Sequence, residues 1–464
     1  MRTQFLCLAA AFSLWPSVVA AQSSLAIRRL PDEPQTQIEP SSTTVQPKQQ
    51  AVELLNAPLL TLEELEAMAL GNSPMLRQAS ARVEVARGRW TQVGLRPNPV
   101  IGYQGNEIGN EGEAGQQGGF VGQEFVTAGK LRLNRAAAAQ EIAQAEQQLA
   151  AERFRVLNDV RIGFYSVLVA QRSLELSTEL LRIAERAVQT SELLFKGKEV
   201  GKGDVLQSRI EAASASIAVA NARNRYEAAW RRLAAAVAIP TMQPVQLAGD
   251  LRSGWRNLNW DEEMARLLTA SPELAEARAN AERAAWALRR ARVEPVPNID
   301  VQAGAAYDNA SRDTIANVQI GIPIPVFNRN QGGIYAAQSE LAAAQAQIRS
   351  VELDLQNRLA LAFERYSNAR QQVDRYARDI LPNAKESLDL VTLAYSQGQG
   401  ELPFLVLLTA QRTFFQTNLA YLDALRELWE SQIAIEGMLL VRDSDSRQPA
   451  RRTAQYLDRS NLNQ

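Results

Sequence analysis

Histidine is missing from all 464 residues, and cysteine occurs once, at Cys7. The first absence removes the usual general base and the commonest transition-metal ligand. The second leaves no partner for a disulfide. A surplus of charge is missing too: 50 Lys and Arg stand against 51 Asp and Glu, so no net field points to nucleic acid. No Gly-rich phosphate loop follows a strand, and Gly-Lys-Gly-Asp at 201–204 lacks the P-loop spacing. The acids are scattered along helical stretches, as on a solvated face. These absences argue against an enzyme and imply no cofactor and no metal site. Beyond the first residues, no segment offers about 18 uninterrupted apolar residues. If the chain enters a membrane, it must do so by strands.

The chain opens MRTQFLCLAAAFSLWPSVVAAQSS. Arg2, an apolar run from Phe5 to Trp15, and Val19 and Ala21 before Gln22 predict a secretory signal peptide over residues 1–21. Cys7 lies inside it, so the exported chain is expected to be free of cysteine. Residues 22–58 are rich in Gln, Pro, Ser and Thr and predict a flexible leader. Residues 442–464 predict a polar tail on the same grounds.

Between these ends the chain repeats. The segment starting at Asn72, NSPMLRQASARVEVARGRW, aligns with ASPELAEARANAERAAWAL from Ala270, an offset of 198. A repeat of this length is a duplicated domain. The first copy spans 59–255, with a hairpin at about 98–127, a long helix at about 130–196 and a return helix at about 204–238. The second spans 256–441, with a hairpin at about 298–326, a long helix at about 333–396 and a return helix at about 403–440. No proline occurs between Pro99 and Pro240, and Gly163 is the single glycine from Leu131 to Phe195. Pro382 predicts a kink in the second long helix. Helices of this length need partners along their whole course. Their apolar residues recur at three and four spacing, which a secreted coiled-coil scaffold would also satisfy.

The hairpins argue against a plain rod. Ile299, Val301 and Tyr307 alternate with Asp300 and Gln302; Val318, Ile320 and Ile322 alternate with Asn317 and Gln319. A transmembrane strand needs about 9–11 residues with such alternation. The expectation is that the apolar set faces lipid and the polar set faces a wet lumen. Four strands cannot close a barrel, and an open edge is not tolerated in lipid. A membrane reading therefore requires an oligomer.

The signal peptide, the two-fold repeat, the paired hairpins and the long helices together resemble the TolC family of outer-membrane efflux proteins. The segment ILPNAKESLDLVTLAYSQGQGELPFLVLLTAQRTFFQTNLAYLDALRELWE, from Ile380, carries the likeness most specifically, and its tone is close to heavy-metal and cation exporters. The resemblance covers about residues 60–441. It implies a mainly α chain forming a homotrimer, with a twelve-stranded outer-membrane barrel continuing into a long helical periplasmic tunnel. It implies a periplasmic adaptor and an inner-membrane pump, of resistance-nodulation-division or ABC type, as partners, and outer-membrane lipid around the barrel. The function implied is a passive conduit for efflux. Type I protein secretion is the alternative within transport.

The resemblance also implies that the Gly-rich turns are periplasmic tips that receive the adaptor. These are Gly197, Val200, Gly201, Lys202 and Gly203 in the first copy, and Gly398, Gly400, Glu401 and Leu402 in the second. Asp204 would form a ring of carboxylates on threefold repetition, a recurrent way to favour cations in a constriction. Arg209 and Arg412 would pair with acids beside it, and Thr409 stands where relatives often place an acid in the second return helix.

Overall fold

A computed structural model describes residues 59–109, 112, 114–396 and 404–440. The expected signal peptide, leader and tail lie outside these residues, as do Gly398, Gly400, Glu401 and Leu402.

Helix α1 (Leu62–Asn72) starts at a capping box, in which the Thr61 hydroxyl accepts from Glu64 N and the Glu64 carboxylate accepts from Thr61 N. Helices α2 (Pro74–Gln92) and α6 (Pro272–Val293) begin alike, with Ser73 or Ser271 at the N-cap and proline in the first turn, where its missing N–H costs nothing. Strands β1 (Val100–Asn106) and β2 (Gln116–Phe125) follow α2, and β3 (Ile299–Asp308) and β4 (Asp313–Gly321) follow α6. The long helix α3 (Lys130–Lys196) has 67 residues, about 100 Å at 1.5 Å per residue. It turns into α4 (Lys202–Ala236); α5 (Trp260–Ala270) then precedes α6. The second long helix is α7 (Gln331–Arg375), a π-helical turn at Tyr376–Ile380, and α8 (Leu381–Ser396), and α9 (Phe404–Glu436) closes the second copy. The interruption sits just before Pro382. Proline has no N–H to give, and the Leu381 N–H bonds the carbonyl five residues back, at Tyr376.

The repeat is physical as well as textual. Val83, Ala86 and Ala145 form one small apolar cluster; Ala281, Ala284 and Ala344 form its counterpart about 198 residues on. Trp230 on α4 and Trp429 on α9 play the same part in the two return helices. Each buries its indole and donates Nε1–H to a carbonyl of the inter-repeat segment, Met242 at 3.0 Å and Leu251 at 3.1 Å. These tryptophans help build the main core. There Leu65, Val160, Val167, Leu233, Leu355, Leu425 and Leu428 are fully buried, and Tyr165 stacks on Trp429 at 3.8 Å between ring centroids. Gly163 explains itself at this level. A Cβ there would meet Leu233 Cδ1 at 3.1 Å and Leu233 Cα at 3.3 Å, so glycine permits the close approach of α3 and α4.

The sheet is antiparallel in the order β1-β2-β3-β4. Its register sorts the faces. Ile101 opposes Val121, Val121 opposes Ala303, and Ala303 opposes Val318, so these share one face with Tyr103, Val301 and Ile320. Gln302, Gln319, Asp300 and Asn317 lie on the other. One aromatic, Phe120, sits on the polar side, where its ring covers Gly102 and its Cβ lies by Gly304; a Cβ on Gly102 would come within 2.5 Å of the ring.

The expected trimeric twelve-stranded barrel is corrected. The chain builds one open four-stranded sheet, and β1 and β4 each keep an unpaired edge. Among the described residues no strand pairs with the outer side of β1 or β4, so the structure holds an open sheet and no closed barrel. The fold class is mainly α with a small open sheet. The expected transmembrane β-barrel and the outer-membrane location with a long periplasmic portion rest on a closed barrel, so both are withdrawn with it. Among the described residues no helix is long and apolar enough to cross a membrane.

Candidate functional site

Two regions bring sequence-predicted residues together. At the first tip, α3 ends at Gly197 and the chain reverses into α4. Glu199 N bonds Leu194 O at 2.9 Å and Lys198 N bonds Phe195 O at 3.1 Å, a Schellman arrangement. The left-handed position in this turn is held by Lys198, with φ of 62°; Gly197 keeps a right-handed conformation. Gly201 precedes α4, and Lys202 and Gly203 are its first residues. Asp204 is committed locally, since its Oδ2 accepts from Gly201 N at 3.0 Å. It caps the helix and favours its N-terminal dipole.

The arginines find the acids anticipated for them. Arg209 pairs with Glu192 at 2.7 Å, joining α4 to α3 within one hairpin. Arg412 pairs with Glu211 at 2.7 Å, joining α9 to α4 across the two copies. The Glu211 carboxylate is the more enclosed, its side chain 16% exposed against 40% for Glu192. Thr409 donates to Leu405 O at 2.7 Å and lines a cavity of about 350 Å³ with Val391, Val406 and Ala410 between α8 and α9. Sequence reasoning did not single out Glu192, Glu211 or the buried Ser191–Ser208 hydroxyl pair at 2.6 Å. Glu211 lies 201 residues from Arg412, so no local sequence pattern marks it as that arginine's partner.

The second region is the sheet. Ile299, Val301, Tyr307, Val318 and Ile320 share its apolar face, Ile322 follows just past β4, and Asp300, Gln302, Asn317 and Gln319 share the opposite face. The apolar face is uncovered: Ile101 is 81% exposed and Val318 73%. The groups whose protonation is most perturbed lie elsewhere, among the helices. Burial pushes the Tyr165 hydroxyl up to about 12, and raises Tyr226, Tyr421 and Glu430 above their ordinary values. Among the described residues no group of three or more His, Cys, Asp or Glu is placed to hold a metal ion.

A duplicated unit, in which a strand hairpin runs into a pair of long antiparallel helices, defines a tandem hairpin protein with a two-faced sheet. Both copies match one family, described as Outer membrane efflux protein, over residues 65–238 and 264–439. The chain belongs to that family. It is similar to the cobalt-zinc-cadmium resistance protein CzcC of Cupriavidus metallidurans, 26% identical over 380 residues that cover 82% of this chain and 90% of CzcC. It is also similar to the nickel-cobalt-cadmium resistance protein NccC of Alcaligenes xylosoxydans xylosoxydans, 25% identical over 66% of this chain and 69% of NccC. In fold it matches the outer membrane protein VceC of Vibrio cholerae, with a TM-score of 0.68 and 19% identity, covering 82% of this chain and 96% of that one. The chain is thus an efflux channel protein with no catalytic role, tied to the heavy-metal resistance members of its family. At the family level it works with an adaptor and an inner-membrane pump.

Proposed function

We propose that this chain is the passive conduit of a heavy-metal cation exporter, with a pump of the resistance-nodulation-division type choosing the cargo and supplying the energy. The match to CzcC over nine-tenths of that protein's length carries this reading. Three copies assemble the conduit. In support, Leu206, Ile210 and Ile217 on α4 form an exposed apolar stripe at helical spacing. The chain divides into two repeats at about 255/256, in keeping with clusters that recur at the repeat offset. The first tip, Gly197 to Gly203, meets the adaptor together with its counterpart at Gly398 to Leu402. Asp204, Arg209, Thr409 and Arg412 border the aperture. The apolar face of the sheet meets lipid, and Asp300, Gln302, Asn317 and Gln319 face the transported solution.

The test is complementation. Cells lacking the channel component of a cobalt, zinc and cadmium exporter, but keeping its pump and adaptor, should regain tolerance to these cations when given this chain. Restored drug tolerance or restored protein secretion in matching strains, without metal tolerance, would overturn the cargo assignment.

A further inference from the structure

All four strand ends that connect to helices lie at one end of the sheet, because Val100 pairs near the end of β2, Phe125 opposes Ile299, and Asp300 opposes Gly321. The helices continue the strands in the same lateral order, α2, α3, α6, α7, and neighbouring helices pack. The four crossings are tied side by side. Arg135 lies over the Trp90 ring at 3.9 Å, Arg290 Nε donates to Asn134 Oδ1 at 2.9 Å, and Asn330 Nδ2 donates to Ala291 O at 2.8 Å.

This row of junctions is rich in arginine. Arg89 and Arg96 flank the α2–β1 crossing, Arg132 the β2–α3 crossing, Arg292 the α6–β3 crossing and Arg329 the β4–α7 crossing. All five are exposed, and none forms an ion pair with a carboxylate among the described residues. The nearby acids are largely engaged. Glu124 accepts from Asn298 at 2.6 Å, Glu294 pairs with Arg290, and Asp300 lies on the polar face of the sheet. In a chain whose charges balance overall, this concentration is local. Aromatic side chains share the row. Arg289 lies 4.3 Å over Trp286, Phe327 is 91% exposed and Tyr335 is 73% exposed. Immediately beyond it, on the strand side, stands the uncovered apolar face. An apolar band edged by tryptophan, tyrosine and unpaired arginine has the polarity profile of a bilayer interface. There, aromatic rings sit at the headgroups and guanidinium groups reach anionic phosphates.

We propose that the arginine row across the four strand–helix crossings is a binding surface for anionic phospholipid headgroups. It rests on the reading that the apolar face of the sheet meets lipid. Arg132 and Arg292, on adjacent central crossings, are the residues on which it depends most directly.

Flotation of the purified full-length chain with vesicles tests both readings separately. Binding to phosphatidylcholine vesicles reports the apolar face. Tighter binding to phosphatidylcholine mixed with phosphatidylglycerol reports the arginine row. Each arginine near an anionic surface contributes roughly fivefold in partitioning, so Arg132→Gln with Arg292→Gln should lower binding to the anionic vesicles about 25-fold. Binding to the neutral vesicles should stay unchanged, with helicity checked by circular dichroism. The control is Arg223→Gln with Arg225→Gln, the same charge change on α4 away from the sheet. Equal losses in the two double variants would overturn the proposal, as would equal binding of the unaltered chain to both vesicle types. Full competition by inorganic phosphate would assign the row to free phosphate and overturn it too. Absence of binding to either vesicle would overturn the apolar-face reading along with it.

Discussion

Replacing Arg412 by alanine should loosen the tip far more than replacing Arg209. The two pairs have the same 2.7 Å separation, so distance does not separate them. Topology and burial do. The Arg209–Glu192 pair lies inside one helical hairpin and stays intact when the two copies part. The Arg412–Glu211 pair spans the copies, joining return helices α4 and α9, which share no broad contact of their own. Its loss also leaves the carboxylate of Glu211, 16% exposed, without its charged partner. A hydrogen bond to a charged group is worth about 1.5–3 kcal/mol, and the solvent around Arg412, which is 57% exposed, reduces this to about 1–2 kcal/mol. That converts to roughly a 5–30-fold rise in the population of open tips. The exposed Arg209 pair is worth about 0–1 kcal/mol, all within a unit that does not part.

Distances between spin labels placed on α4 and α9 near the tip read the difference. Arg412→Ala should raise the separated population by about that factor, and Arg209→Ala should leave it near the unaltered value. Glu211→Gln with Arg412→Ala should recover part of the stability lost in Arg412→Ala, because no unpaired charge remains, while the tip stays open. Equal effects of the two single arginine variants would refute the reasoning, since it rests on which helices each pair joins.

Three further outcomes follow from the packing. Gly163→Ala should gain about 1 kcal/mol in helix propensity yet lose about 1–3 kcal/mol against Leu233 Cα and Cδ1, a net loss visible as a lower thermal midpoint; a more stable variant would contradict the close approach of α3 and α4. Lys198→Gly should stabilise the first tip by about 1 kcal/mol, because φ of 62° suits glycine, and hydrogen exchange of the Leu194–Glu199 turn should slow; faster exchange would count against the Schellman turn. Tyr165 titrates at about 12 when folded, above its ordinary value of about 10, so the folded state holds the proton more tightly. Its stabilising share is complete below about pH 10 and is lost as pH rises toward 12. An absorbance titration should therefore lose its latest tyrosinate component in Tyr165→Phe, and an unchanged curve would refute the assignment.

Much of the architecture was legible because it is periodic. The helix bounds expected at 130–196 and 403–440 correspond to Lys130–Lys196 and Phe404–Glu436, since uninterrupted three-and-four spacing and the absence of proline leave little other choice. The strand alternation also told which side chains share a face. Three things were not legible. Closure is a property of strand edges, and strand alternation does not state what pairs with the outer edges of β1 and β4. The residue holding the left-handed turn at the first tip is Lys198, beside Gly197, which composition marks as the natural candidate. Glu211 lies 201 residues from Arg412, and no local pattern links positions that far apart.

The duplication has one consequence that bears on how such a tip could open. Two tryptophans, Trp230 and Trp429, anchor the two return helices to the segment between α4 and α5 by buried indole hydrogen bonds to Met242 and Leu251, in a core where Leu233, Leu425 and Leu428 are closed to solvent. That core also holds α3 and α7 through Val160, Val167, Leu355 and Leu359. Toward the tips the apolar packing thins to Leu407 and Leu408 against Ala187 and Val391. Among the described residues, apolar burial is thus concentrated around the tryptophans and sparser toward the first tip, where Leu193, Phe195 and Leu206 are exposed. A force applied by a partner at the tips would meet contacts worth a few kcal/mol before it met the core. The helical hairpins can therefore part at their ends while the anchored middle keeps its packing, and opening requires no rearrangement of the sheet.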